Sequence, residues 1–146
     1  MKPGALQICV RNFQRKVRVD VVDLEKFARK AMALCLDLRK TKTTDLEMLR
    51  AISVLIVSDR RMATLHRRFM NVPGSTDVIT FQHGEIFISA EMAVRNARRF
   101  ATALIHELRL YIVHGLLHLS GFDDQTEAAA RKMRAMQEKI LAKVAL

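Results

Sequence analysis

The sequence predicts an α+β fold: a single domain over residues 1–146 with a mixed sheet of about four strands, surrounding helices and one helix running through the core. Three observations predict it. Short β-branched runs of strand length alternate with longer stretches whose apolar residues recur at helical spacing. Turn chemistry separates these runs at Asn71-Val72-Pro73-Gly74-Ser75 and Gln82-His83-Gly84. Half of the 146 residues are apolar, with few Gly, Pro or Ser clusters and no internal repeat, so the chain is long enough for one sizeable core and has no linker to divide it.

Leu6-Gln7-Ile8-Cys9-Val10-Arg11-Asn12 alternates briefly, and Val17, Val19 and Val21 alternate with charges, which predicts a strand near the N-terminus. Asp23 is placed to cap a helix whose apolar positions are Leu24, Phe27, Ala28, Ala31, Leu34, Cys35 and Leu38. Arg39-Lys40-Thr41-Lys42-Thr43-Thr44 reads as a polar, basic loop. Ile52-Ser53-Val54-Leu55-Ile56-Val57 is nearly continuous and β-branched, the pattern of a strand buried on both faces inside the sheet. Ser58 caps a helix with Met62, Leu65, His66 and Phe69 on one side and Arg60, Arg61, Arg67 and Arg68 on the rest. Thr76-Asp77-Val78-Ile79-Thr80-Phe81 and Glu85-Ile86-Phe87-Ile88 flank a short turn and predict a hairpin. Ser89 starts a helix to about Phe100, and Leu104 starts a second one that is apolar nearly all round beyond Arg109. Its Leu108, Ile112, Val113, Leu116 and Leu117 are therefore expected in the core. From Gln125, residues Ala129, Met133, Met136, Ile140 and Leu141 define a final amphipathic helix.

The chemistry is concentrated at the end of the core helix, in His114-Gly115-Leu116-Leu117-His118-Leu119-Ser120-Gly121-Phe122-Asp123-Asp124. Four residues on a helix bring side chains to about 40° of one another one turn apart, so His114 and His118 face a common point, as a metal clamp requires. Gly121 stands where a helix commonly ends in a left-handed residue. A reversal there would carry Asp124, six positions after His118, back to the ion as third ligand. The competing reading makes the histidines half-buried helix residues and Asp124 a cap on the N–H groups near Thr126 and Glu127, with His106 or water completing any site. Two imidazoles and a carboxylate make Zn2+ the first expectation for a single divalent ion, while the oxygen ligand leaves Mn2+ or another divalent ion competitive.

This stretch resembles two known patterns. Metzincin-type proteases share the spacing of ligands and glycine but carry a glutamate directly after the first histidine as general base, and here that position is Gly115. The YbeY family of bacterial endoribonucleases has the signature His-Gly-x-Leu-His-Leu-x-Gly-Tyr-Asp-His, which the chain matches from His114 through Asp123 with Phe122 for Tyr. The departure is Asp124 in place of the third histidine. The resemblance extends to Ser58-Asp59 ahead of the arginine-bearing helix, to Thr76-Asp77-Val78-Ile79-Thr80-Phe81 for Thr-Asp-Val-Leu-Ser-Phe, and to Gly84-Glu85-Ile86 for Gly-Asp-Ile. An arginine that family members place before the Thr-Asp-Val strand falls on Met70, with Arg67 and Arg68 one turn upstream as substitutes. The resemblance implies a metal-dependent, single-strand-preferring endoribonuclease of ribosomal RNA maturation and ribosome quality control, with ribosomal proteins or a ribosome-associated GTPase as further partners. His114, Asp123, Arg67 and Arg68 are then the catalytic candidates, Asp123 as a general base, and His114, His118 and Asp124 the metal ligands. The alternative is an RNA-binding ribosome assembly factor whose metal is structural.

Charge agrees with an RNA partner, and cysteine usage with a reducing compartment. Lys and Arg number 25 against 15 Asp and Glu, a net charge of +10 that attracts polyanions through counterion release and bidentate phosphate contacts. Met1-Lys2-Pro3-Gly4 leads into a short strand and then charges rather than a signal peptide, and no apolar run approaches the roughly 18 residues of a membrane span. Cys9 and Cys35 fit free thiols, so a cytoplasmic location and no membrane partner are expected.

Overall fold

The computed structural model describes residues 5–38 and 45–145; the Met1-Lys2-Pro3-Gly4 start and the basic loop expected at residues 39–44 lie outside them. The elements run β1 (Gln7–Asn12), α1 (Val21–Leu38), α2 (Asp45–Met48), β2 (Ala51–Val57), α3 (Asp59–Met70), β3 (Val78–Phe81), β4 (Glu85–Ser89), α4 (Ala90–Arg99), α5 (Leu104–Leu119) and α6 (Glu127–Ala145). The strands form one mixed sheet in the order β1-β2-β4-β3, with β1, β2 and β4 parallel and β3 antiparallel to β4. This is the α+β domain with four strands that the sequence predicts.

Alternation along the strands sends Ile8, Val10, Ile52, Val54, Ile56, Ile86 and Ile88 into the main core against α1 and α5. A smaller cluster on the other face joins Val57 and Ile79 to Met62 and Leu65 of α3. Burial on two faces is why β2 reads as a continuous apolar run, and it is a central strand. The core helix α5 packs against α1, α2, α4, α6, β3 and β4. Its Leu108, Ile112, Val113, Leu116 and Leu117 are buried as expected, each contributing roughly 1.5–3 kcal/mol by leaving water.

Two local readings are corrected. Val17, Val19 and Val21 form no strand: β1 ends at Asn12, and the Gln14 amide donates to Asn12 Oδ1 (2.8 Å) and to the Val17 carbonyl (2.7 Å), while its Oε1 accepts from the Val17 N–H (2.9 Å). These local bonds satisfy the chain in place of a ladder. Asp23 does not cap α1. Asp20 does, its Oδ1 accepting from the Asp23 N–H at 3.0 Å, and the Asp23 carboxylate pairs instead with Arg109 of α5 at 3.0 Å. The caps expected at Ser58 and Ser89 are present, accepting from the N–H groups of Arg61 and Met92.

Cys9 and Cys35 are both free. Burial pushes the Cys35 thiol up to about 12, against a smaller lowering by its hydrogen bond with Ser120, so it is an inert core group. Among the described residues, no single helix is long and apolar enough to cross a membrane.

Candidate metal centre and cleft

α5 ends in a Schellman turn: the Gly121 N–H donates to the His118 carbonyl (3.2 Å), the Phe122 N–H to the Leu117 carbonyl (3.0 Å), and Gly121 has φ +95°. Phe122 is buried and anchors the reversal. Asp124 thereby returns to the helix end with its Oδ2 3.8 Å from His114 Nε2 and 4.0 Å from His118 Nε2, while the two Nε2 atoms are 3.0 Å apart. Donor atoms on a tetrahedral ion with bonds near 2.05 Å are about 3.3 Å apart, so the imidazoles already have ligand spacing and the carboxylate is a small rotation away. His114, His118 and Asp124 form the group of His, Cys, Asp and Glu side chains among the described residues whose ligand atoms lie within 4.8 Å of one another.

Outer contacts set the imidazole tautomers. Nδ1 of His114 donates to Oε1 of Gln137 on α6 at 2.6 Å, which leaves its Nε2 with a lone pair for a cation. His118 hydrogen-bonds to the Phe122 backbone, a bond that favours the protonated ring. Burial opposes this most strongly, and the neighbouring His114 adds to it; together they outweigh Asp124, the Phe122 bond and Asp123, holding His118 below the usual histidine value. A neutral imidazole is the ligand-competent form. The donor set, its spacing and its outer partners all fit a divalent ion.

The capping alternative for Asp124 does not match the geometry. α6 is capped by Thr126, whose Oγ1 accepts from the Ala129 N–H at 3.0 Å. His106 is exposed near the other end of α5, about 12 Å along the helix from His114 by the rise of 1.5 Å per residue.

The site floors a cleft of about 410 Å³. The opposite wall comes from the loop before β3 and from β3 itself, with Thr76, Asp77, Thr80 and Gln82, and from Met70 at the end of α3. The other catalytic candidates lie elsewhere. Arg67 and Arg68 are exposed on the last turn of α3 and do not line the cleft, whereas Met70 does. Asp123 is exposed in the turn, its Oδ1 accepting from the Gln125 N–H at 3.1 Å.

Sequence reasoning missed Gln137 and Asp77. Gln137 had a legible signal, since it occupies a core position between Met133 and Ile140 on the apolar side of α6 and is 9% exposed. Asp77 sits within the expected strand, but only the packing of β3 against α5 brings it into the lining of the cleft that holds the histidines, where its Oδ1 accepts from the Val78 N–H at 2.8 Å.

The structure also accounts for Gly115. A Cβ at this position would lie 2.8 Å from side-chain atoms of Ile86 on β4, so the glutamate of a metzincin-type protease has no room here.

Fold and site together define a small α+β protein that carries a candidate three-residue metal centre at the end of its core helix. Comparison with known proteins names its family. The family described as Endoribonuclease YbeY matches residues 9–145. A protein named Endoribonuclease YbeY from Chlamydia muridarum is 32% identical, covering 92% of this chain and 86% of its own length. Another of that name from Thermobifida fusca is 34% identical over 62% of this chain and 70% of its own length. The solution structure of TM1509 from Thermotoga maritima has the same fold, with a TM-score of 0.64 at 23% identity over 94% of this chain and 89% of that one. The chain belongs to the endoribonuclease YbeY family, a family of hydrolytic nucleases.

Proposed function

We propose that this protein is a cytoplasmic, metal-dependent endoribonuclease that cuts single-stranded ribosomal RNA during maturation and ribosome quality control. The observation that carries this reading is the convergence of His114, His118 and Asp124 within 4.8 Å at the floor of an open cleft. His114, His118 and Asp124 would hold a divalent ion, Zn2+ before Mn2+, which would supply an acidified water and a Lewis acid for a phosphoryl oxygen. The chain's own groups do the rest. Gln137 orients His114 through Nδ1, and the Phe122 backbone orients His118. Thr76 and Gln82 present polar side chains to an RNA backbone in the cleft. The proton of the attacking water is accepted by Asp123 or by Asp77, which lines the cleft; pH–rate profiles of Asp123→Asn and Asp77→Asn decide between them. Arg67 and Arg68, outside the cleft, act on flanking phosphates. Ribosomal proteins or a ribosome-associated GTPase are the further partners proposed for this role.

A second reading is favoured by one observation. Met70 brings an apolar side chain to the cleft wall where the family pattern has an arginine, as an RNA-binding assembly factor with a structural metal would tolerate. Metal-loaded protein is incubated with end-labelled single-stranded and duplex RNA, with His114→Ala as control. The nuclease reading expects cleavage of the single strand that the variant lacks; intact RNA with both proteins leaves the assembly-factor reading.

A further inference from the structure

The sheet is covered unequally. Helices α1 and α5 close one face, but among the described residues only α3 lies on the other, and beside it the surface is aromatic. Phe69 of α3 meets Phe81 of β3 edge-on (centroids 5.3 Å apart), Phe81 meets Phe87 of β4 in the same way (5.8 Å), and His83 stacks on Phe81 at 5.6 Å. Two grooves, of about 430 and 470 Å³, share Arg61, Glu85 and Phe87, and the second extends to Phe13. Phe69 and Phe13 are 57% and 62% exposed, far more than a large apolar side chain normally is.

The charge around these rings selects the ligand. Arg61 and Arg68 line the first groove, and the Arg68 guanidinium lies 5.6 Å from the Phe69 ring centroid. Glu85 is the one carboxylate among the described lining residues, and it is paired with His83. Exposed aromatic faces interleaved with arginines suit unpaired bases on a phosphate backbone, since every base has a π-face and every nucleotide a negative charge. Neighbouring residues of α3 and of the edge strand β3 line the groove and the cleft in turn. Met70 lines the cleft while Phe69 and Arg68 line the groove, and on the edge strand β3 Thr80 faces the cleft while Phe81 faces the groove.

We propose that this face is a second RNA site, a stacking platform that holds unpaired bases flanking the phosphodiester in the cleft. It rests on the proposed RNA substrate, and it explains a preference for single strands, because bases in a duplex have no free faces to offer.

The chain contains no tryptophan and one tyrosine, so Phe69→Trp places a single tryptophan, excited selectively beyond the tyrosine band, at the platform. The probes are an adenosine-rich single-stranded RNA and an abasic oligomer of equal length and charge, titrated in excess chelator so that no cleavage intervenes. The platform requires tryptophan quenching by the adenosine-rich strand and little by the abasic one. It also requires that Phe69→Ala, at an exposed position and with an unchanged melting temperature, weaken RNA binding about 5- to 10-fold, while Phe69→Trp retains wild-type affinity. Equal quenching by both oligomers, or unchanged affinity in Phe69→Ala, overturns it and leaves a protein-docking face as the use of these rings. The two readings fail separately. Base-dependent quenching by a protein that cleaves nothing when metal-loaded supports the platform and sinks the nuclease. Normal cleavage with unchanged affinity in Phe69→Ala sinks the platform alone.

Discussion

Asp124 is the residue at which this chain departs from the histidine of the family pattern, and its carboxylate lies 3.8 and 4.0 Å from the two imidazole Nε2 atoms. As a ligand, an anionic carboxylate in place of a neutral imidazole would lower the charge of a loaded centre by one unit, making it a weaker Lewis acid and raising the pKa of water there. Asp124→Ala and His118→Ala are therefore expected to lose zinc. Asp124→His is expected to keep or tighten zinc and to move the activity optimum to lower pH. Competition with a chromophoric chelator measures the affinities, and full zinc occupancy in Asp124→Ala would remove Asp124 from the site. Gln137 acts one step further out, fixing the proton on His114 Nδ1. Gln137→Leu is expected to weaken metal binding about 10- to 100-fold, the usual effect of removing an outer partner. The same chelator titration reads it, and wild-type affinity would mean that His114 needs no outside orientation.

Between elements, two ties hold the cleft in shape. Gly115 lets α5 approach β4, since a Cβ there would sit 2.8 Å from Ile86 Cδ1 and Cγ2. Gly115→Ala improves helix propensity by up to about 1 kcal/mol but forces atoms into a packed interface at a cost of about 1–3 kcal/mol. Net destabilisation in urea unfolding is expected, with the Gly115→Ala, Ile86→Ala pair losing less than the two single changes together. Additive losses would mean that the helix shifts without touching Ile86. Asp59 is the other tie. Its carboxylate accepts from Ser75 Oγ (3.0 Å) and Ser89 Oγ and pairs with Arg95, joining α3 to the loop before β3, the end of β4 and α4. Burial by itself raises its pKa, but Ser89, Arg95 and Ser75 together hold it below the ordinary carboxylate value of 3.8. A depressed folded pKa means that this stabilisation is complete above pH 3.8 and is lost as pH falls through the folded value. Asp59→Asn should thus be less stable by about 2 kcal/mol at neutral pH, with a shallower acid limb in stability against pH. An unchanged acid limb would place that proton uptake on other groups.

At the scale of the molecule, the excess of cations decides how RNA is approached. The net charge of +10 acts at long range, whereas Arg67 and Arg68 are exposed on the last turn of α3, Arg68 lining the aromatic groove. Reversing both charges is expected to weaken RNA association and to flatten the plot of log affinity against log salt by about one unit for each phosphate that is no longer neutralised. An unchanged slope would move the binding face to the exposed cations of α6, Arg131, Lys132 and Arg134.

What the sequence determined by itself is local. The i,i+4 histidines face together because a helix places them so, and Gly121 reverses the chain within a few residues, so the route from His118 to Asp124 needs no distant partner. Strand and helix identities followed from apolar period wherever burial supplied that period. They failed at Val17, Val19 and Val21, where Gln14 satisfied the backbone locally instead. Tertiary structure decided the rest. Gln137 reaches His114 from 23 positions away, Met70 rather than Arg67 or Arg68 meets the cleft, and Phe13, Phe69, Phe81 and Phe87 gather on one sheet face from four separate segments. Periodicity records which side of an element is apolar and carries no information on which other element will cover it. That choice depends on strand order and on close approaches such as Gly115 against Ile86, which exist only once the whole chain has packed.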